Sequence, residues 1–194
     1  MFQIQAAVET QFEIKKSQFI GQLYPVQTRK QAQDLLKQIR SQHPNAVHVC
    51  WVLLCNGDSG LDDDGEPSGT AAKPMYNVLI HKQIFNVLAV VVRYWGGIKL
   101  GAGGLTRAYG QAISEACKLA QLNPIEILEI NEYHVAYSNE AQVRHVCAQY
   151  QAEIIEVSYA EQTQLRIQLK AQDVTAFEQN LTSLLRGEWS KKES

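Results

Sequence analysis

Six of the chain's twelve glycines lie between Gly96 and Gly110, in the run Arg93-Tyr-Trp-Gly-Gly-Ile-Lys-Leu-Gly-Ala-Gly-Gly-Leu-Thr-Arg-Ala-Tyr-Gly110. An apolar, β-branched stretch, Val87 to Val92, precedes the run, and a helix-patterned stretch, Leu105 to Ala120, follows it. Strand, glycine loop and helix start together can make an anion site. Glycine lets backbone N–H groups approach a phosphate closely, and a helix N-terminus adds unpaired donors and a positive dipole end. Arg93, Lys99 and Arg107 add cationic charge within the same fifteen residues. The candidate contacts are therefore Arg93, Tyr94, Lys99 and Arg107, with Gly96, Gly97, Gly101, Gly103 and Gly104 shaping the loop. Lys15 and Lys16 extend this basic surface if the fold brings them near. The run is not a Walker A loop, and Thr106 stands where a Rossmann fingerprint would have its third glycine. The competing reading is tight strand–helix packing and turns that need positive φ. Tyr94 and Trp95 stack on bases if exposed and are ordinary core if buried.

Apolar residues make up 45% of the 194, enough for a packed core. Net charge is only -2, but it is unevenly spread. Residues 1–126 hold 12 Lys+Arg against 10 Asp+Glu, and residues 127–194 hold 6 against 10. A polyanion meets the first half more willingly. Cys50, Cys55, Cys117 and Cys147 are scattered, with no C-x-x-C pair. The start, Met1-Phe-Gln-Ile-Gln, lacks the basic and long apolar segments of a secretory signal. No apolar run reaches the roughly 18 residues of a membrane span. These features predict a soluble, reduced, cytoplasmic protein with no membrane partner.

Periodicity predicts strands at Phe12–Ile14 and Phe19–Val26, then a helix from Thr28, its N-cap, to Ser41. Val47–Leu54 reads as a strand, Asn56–Thr70 as a loop, Ala71–Ile80 as a helix with Pro74 in its first turn, and Ile84–Val92 as a strand. Asn123-Pro124 marks a boundary between residues 1–124 and 125–194. Beyond it come strand Ile127–Tyr137, helix Asn139–Tyr150, strands Ala152–Tyr159 and Gln162–Lys170, and helix Asp173–Leu185 with an aspartate cap. That order resembles a ferredoxin-like β-α-β-β-α unit. Its fourth strand is short or missing, since only Arg186-Gly-Glu-Trp-Ser precedes the charged tail Lys191-Lys-Glu-Ser.

A second constellation is Asp62-Asp63-Asp64-Gly65-Glu66-Pro67-Ser68-Gly69-Thr70. Clustered carboxylates in a loop can hold Mg²⁺, although the spacing is not that of an EF-hand. The alternative is a solvated turn with Ser68 or Thr70 capping the next helix. His48, Asp64, Glu66, Ser68 and Thr70 are candidates for a site shared with the glycine loop. His48, Cys50 and Cys55 lack a fourth ligand nearby, so the expectation is no structural zinc.

Three segments carry a resemblance: Lys16-Ser-Gln-Phe-Ile-Gly21, Asp63-Asp-Gly-Glu-Pro-Ser-Gly-Thr-Ala71, and the run Arg93–Gly110. Together they resemble the Impact family in its bacterial branch. The resemblance implies an α+β chain. Its first domain, 1–124, would be like domain 2 of ribosomal protein S5. Its second, 125–194, would be ferredoxin-like, similar to the last domain of elongation factor G, with a shortened last strand. Both likenesses point toward RNA or the ribosome, by fold analogy. The eukaryotic family members regulate translation through an additional N-terminal domain, a route that does not carry over.

Three functions follow. The first is an RNA- or ribosome-binding protein that regulates translation through the cationic glycine loop, with no cofactor and no catalytic residue assigned. The second is a Mg-dependent phosphate-handling enzyme in which Arg93, Lys99 and Arg107 hold phosphates and Asp64 or Glu66 holds the metal. Its loop does not match the Pro-x-x-x-Gly-x-Gly-Ser-Ser pattern of the small-molecule kinases with an S5-like fold. The third is an adaptor whose acidic second domain recruits a protein partner.

Overall fold

The computed structural model describes residues 1–55 and 57–192; Asn56, which opens the expected acidic loop, and the last two residues of the charged tail lie outside them. The protein is α+β and divides into two compact units, Met1–Ile125 and Glu126–Ser194.

The first unit is built on a five-stranded antiparallel sheet of β2 (Val8–Ile14), β3 (Ser17–Pro25), β4 (His48–Cys55), β5 (Asp58–Asp62) and β6 (Val87–Tyr94), in the order β2-β3-β6-β4-β5. β6 is central and buried along nearly its whole length, which explains its unbroken apolar sequence from Val87 to Val92. Alternation along the strands makes two cores. On one face Cys50, Val52, Ala89 and Val91 pack against α2 (Ala72–His81) and α3 (Ala102–Leu119). On the other, Val49, Leu53, Val90 and Val92 pack against Ala32 and Ile39 of α1 (Arg29–Gln42). Thr28 caps α1 as its sequence predicts, its hydroxyl accepting from Gln31 N–H at 3.3 Å.

Several boundaries differ from expectation. β6 starts at Val87 rather than Ile84, because Gln83 and Asn86 adopt positive φ and bend the chain. α3 starts at Ala102, so Gly103 and Gly104 stand in its first turn rather than in a loop. The acidic segment holds a strand, β5, that its Gly- and Asp-rich composition hides. Two further short strands, β1 (Phe2–Ile4) and β7 (Leu122–Pro124), pair as a separate antiparallel ribbon. That ribbon joins residues about as far apart as the unit allows, so no local pattern announces it.

The second unit runs β8 (Leu128–Val135), α4 (Glu140–Gln149), β9 (Glu153–Tyr159), β10 (Thr163–Lys170), α5 (Val174–Leu184) and β11 (Trp189–Lys191). Its sheet order is β11-β8-β10-β9. The last strand forms, with three residues, and pairs antiparallel to β8. Val143, Val146 and Cys147 supply the buried face of α4, as their spacing predicts. Asp173 occupies the N-cap position of α5, but its side chain makes no capping hydrogen bond. Among the described residues no helix is long and apolar enough to cross a membrane.

Candidate functional site

The register of the first sheet places His48 and Phe19 on either side of Arg93, across β4-β6-β3. All three side chains belong to the face that carries α2 and α3. Arg93 is not a free surface cation. Its side chain is 4% exposed, and its Nη1 donates to Glu66 Oε1 at 2.5 Å. The guanidinium lies 5.5 Å from the Phe19 ring centroid and 5.2 Å from that of Trp95, a cation–π contact with each. Trp95 is 47% exposed, so its ring also meets solvent.

Glu66 is the hub. Oε1 also accepts from the Tyr109 hydroxyl at 2.7 Å, and His48 Nε2 lies 3.8 Å away. The Tyr109 hydroxyl in turn lies 3.4 Å from the Cys50 sulfur, whose hydrogen goes to the Asp63 carbonyl at 3.0 Å. Burial pushes the Cys50 thiol up to about 12, and burial likewise raises the Tyr109 phenol. Both groups therefore stay neutral around the Glu66–Arg93 pair. His48 Nδ1 lies 2.7 Å from the Asp64 carbonyl oxygen, which can only accept. Nδ1 thus carries the hydrogen, and in the neutral ring Nε2 is the atom left with a lone pair, turned toward Glu66.

The other acidic side chains hold their own loop. Asp63 Oδ1 accepts from Ala71 and Ala72 N–H at 3.1 and 2.7 Å, and Oδ2 accepts from Gly69 N–H at 2.7 Å. Asp63 therefore caps α2 from eight residues upstream, replacing Ser68 or Thr70 in that expected role. Ser68 is exposed, and the Thr70 hydroxyl donates to the Pro67 carbonyl at 2.6 Å. Asp64 takes Arg40 on Oδ1 and the Val49 N–H on Oδ2, each at 2.6 Å. Among the described residues no group of three or more His, Cys, Asp or Glu is placed to hold a metal ion. Both oxygens of Asp63 and of Asp64 are engaged within the unit. Cys50 and Cys55 belong to opposite core faces and cannot share a ligand.

The glycine run takes the opposite course. Gly96 lies so close to the hairpin turn that a Cβ there would sit 2.0 Å from the Lys16 carbonyl carbon, and its N–H donates to the Ser17 hydroxyl at 3.1 Å. This contact sets Lys15 and Lys16, both exposed, beside the loop. Gly101, at φ +73, turns the chain into α3, and its carbonyl accepts from Leu105 N–H at 2.9 Å. The N–H groups of Ala102, Gly103 and Gly104 precede the first intrahelical donor and have no helical acceptor. Lys99 and Arg107 are exposed and, among the described residues, pair with no carboxylate. Gly97 is also exposed, at φ +85. Tyr94 departs from this group: it faces α1, where its hydroxyl meets His43 Nδ1 at 2.8 Å.

The geometry thus splits the sequence candidates. Arg93, Glu66 and His48 form one buried cluster, joined by Cys50 and Tyr109, which sequence reasoning did not include. Lys99, Arg107 and the first-turn glycines form an open cationic surface. Tyr109 carries no local signal, since it lies among small residues of α3 and meets Glu66 only through the fold.

Comparison with known proteins matches this arrangement to a family. Residues 15–117, which contain every residue of both clusters, match the Impact N-terminal domain, and residues 134–188 match a domain of unknown function (DUF1949). The chain is 38% identical to the IMPACT family member YigZ of Escherichia coli strain K12, over 90% of this chain and 88% of that one. It is 36% identical to an IMPACT family member of Haemophilus influenzae over 94% and 91% of the two chains, and 34% identical to YvyE of Bacillus subtilis over 99% and 90%. A solved crystal structure of a hypothetical protein superposes with a TM-score of 0.68 at 32% identity, over 100% of this chain and 96% of that one. The chain belongs to the Impact family.

Proposed function

We propose that the protein binds RNA, free or in the ribosome, through the surface at the start of α3, and acts in regulation of translation in the cytoplasm. One observation carries this reading. Among the described residues, the backbone donors of Ala102–Gly104 and the cations Lys99 and Arg107 are unpaired, and they stand on one short segment with Lys16 packed beside it through Gly96. Phosphate oxygens suit such donors, and the contacts require no particular base. The exposed face of Trp95 adds a platform on which a base can stack. The β-α-β-β-α-β order of the second unit and its β11-β8-β10-β9 sheet support a ferredoxin-like assignment. An S5-like first unit rests on the family resemblance. The phosphate-handling enzyme has less support, because of the two carboxylates it names for Mg²⁺, Asp64 holds Arg40 and the Val49 N–H, and Glu66 Oε1 holds Arg93 and Tyr109.

The test is fluorescence anisotropy of labelled tRNA and a short single-stranded RNA across a salt series. Binding should weaken steeply with salt, because phosphate contacts release counterions. Replacing Lys99 and Arg107 by Ala should lower the log–log salt slope for the single strand by about 1.4, at about 0.7 per phosphate contact. Affinity that ignores salt, or a variant that binds like the wild type, overturns the reading.

A further inference from the structure

The Arg93 cluster also holds a pair of groups of different chemistry. His48 Nε2 and the Glu66 carboxylate lie 3.8 Å apart, too far to bond to one another, and in the neutral ring both are acceptors. Both hydrogen bonds that Glu66 receives land on Oε1, so among the described residues Oε2 keeps its lone pairs. The Glu66 side chain is only 3% exposed and is held in place by Arg93 and Tyr109, while the His48 side chain is 18% exposed and held by Asp64. Two fixed acceptors side by side suit a ligand with two adjacent donors. Trp95, whose ring centroid lies 5.2 Å from the guanidinium that pairs with this carboxylate, adds a partly exposed aromatic to the same cluster.

We infer that the His48–Glu66 pair takes the vicinal diol of a ribose, one hydroxyl donating to His48 Nε2 and the other to Glu66. A carboxylate accepting from a ribose hydroxyl is well-precedented chemistry. On the RNA-binding reading, on which this inference rests, the ribose is the 3′-terminal one. Only there are both hydroxyls free, and an internal ribose would bring its 3′-phosphate against the Glu66 carboxylate, where like charges repel. The same diol also occurs on a mononucleotide, so the probes must separate the two sources.

The full chain is titrated with one short labelled RNA bearing three different ends: an unmodified ribose, a 2′,3′-dideoxynucleotide and a 3′-phosphate. AMP and 2′,3′-dideoxy-AMP serve as competitors. The dideoxy end should bind about fivefold to tenfold more weakly than the ribose end, the order of one net hydrogen bond. The 3′-phosphate should bind more weakly still. His48→Phe, which removes one of the two acceptors, should shrink the difference between ribose and dideoxy ends while leaving the salt dependence intact. Three ends bound equally, with salt dependence retained, overturn the diol and leave RNA binding standing. No salt-dependent RNA binding, with AMP outcompeting dideoxy-AMP, does the reverse. If His48→Phe fails to fold, the end-group comparison on the wild type still decides.

Discussion

The acidic segment Asp62–Thr70 and the glycine run Arg93–Gly104 look alike in composition, each short, charged and rich in glycine. In the folded chain they behave in opposite ways. Every charged side chain from Asp63 to Glu66 has a partner inside the unit: backbone N–H groups, Arg40, or Arg93 and Tyr109. Lys99 and Arg107 have none among the described residues. Arg93 crosses the line, since it opens the glycine run yet serves the acidic segment. A charge that is buried and paired builds the fold, whereas one left exposed and unpaired at a helix start is available to a ligand.

The largest effect that could break this contrast comes from Glu66→Ala. It strands the Arg93 guanidinium in a buried site and should cost about 3–5 kcal/mol of stability. Urea unfolding followed by Trp51 and Trp95 emission measures it; a loss below 1 kcal/mol would mean that the pair is dispensable. Next comes Asp63→Ala, which removes the acceptor for three N–H groups at the start of α2. It should cost about 2 kcal/mol in the same assay. Against these, Lys99→Ala and Arg107→Ala should each change stability by no more than about 0.5 kcal/mol. A larger loss from either would place the open surface in the fold as well.

The smallest effect is a matter of access. The Cys50 thiol donates to the Asp63 carbonyl and is buried, so burial holds it protonated. Its folded value lies above its unfolded one. The stability this provides is complete below the ordinary 9.0 and is lost as pH rises from there toward about 12. At pH 8 a thiol reagent should therefore modify Cys50 slowly in the native protein. The same reagent should act faster in Asp63→Ala, if that variant loosens the acidic segment. Equal rates in the two proteins would show that the segment does not guard the thiol.

Much of the fold could be read from the chain. Thr28 caps its helix, β6 is buried as its apolar run implies, and α4 buries Val143, Val146 and Cys147. These are local signals, each made by neighbours in sequence. The site was legible only by region. Glycine spacing located the run, but not that α3 begins before Gly103, because two glycines disguise a helix start. Arg93 and Tyr94 are adjacent in sequence, yet strand alternation sends one to Glu66 and the other to His43. The Glu66–Tyr109 bond spans 43 residues, and no spacing rule connects them. Asp63 was visible as a charge, but its capping of α2 depends on a loop that folds back across Gly69.

The ribbon of β1 and β7 ties the first residues of the chain to the last of its unit: Phe2 faces Pro124, and Ile125 N–H donates to the Met1 carbonyl at 3.0 Å. During synthesis, Ile4 therefore waits for its partner until some 120 further residues have left the ribosome. A fragment cut at residue 117, where the family match ends, would carry an N-terminal strand that has lost β7 and keeps only the bridge of Phe2 to Ile84. Conversely, because the two ends of this unit are hydrogen-bonded neighbours, they could be joined directly and the chain reopened at a distant turn without disturbing either sheet face.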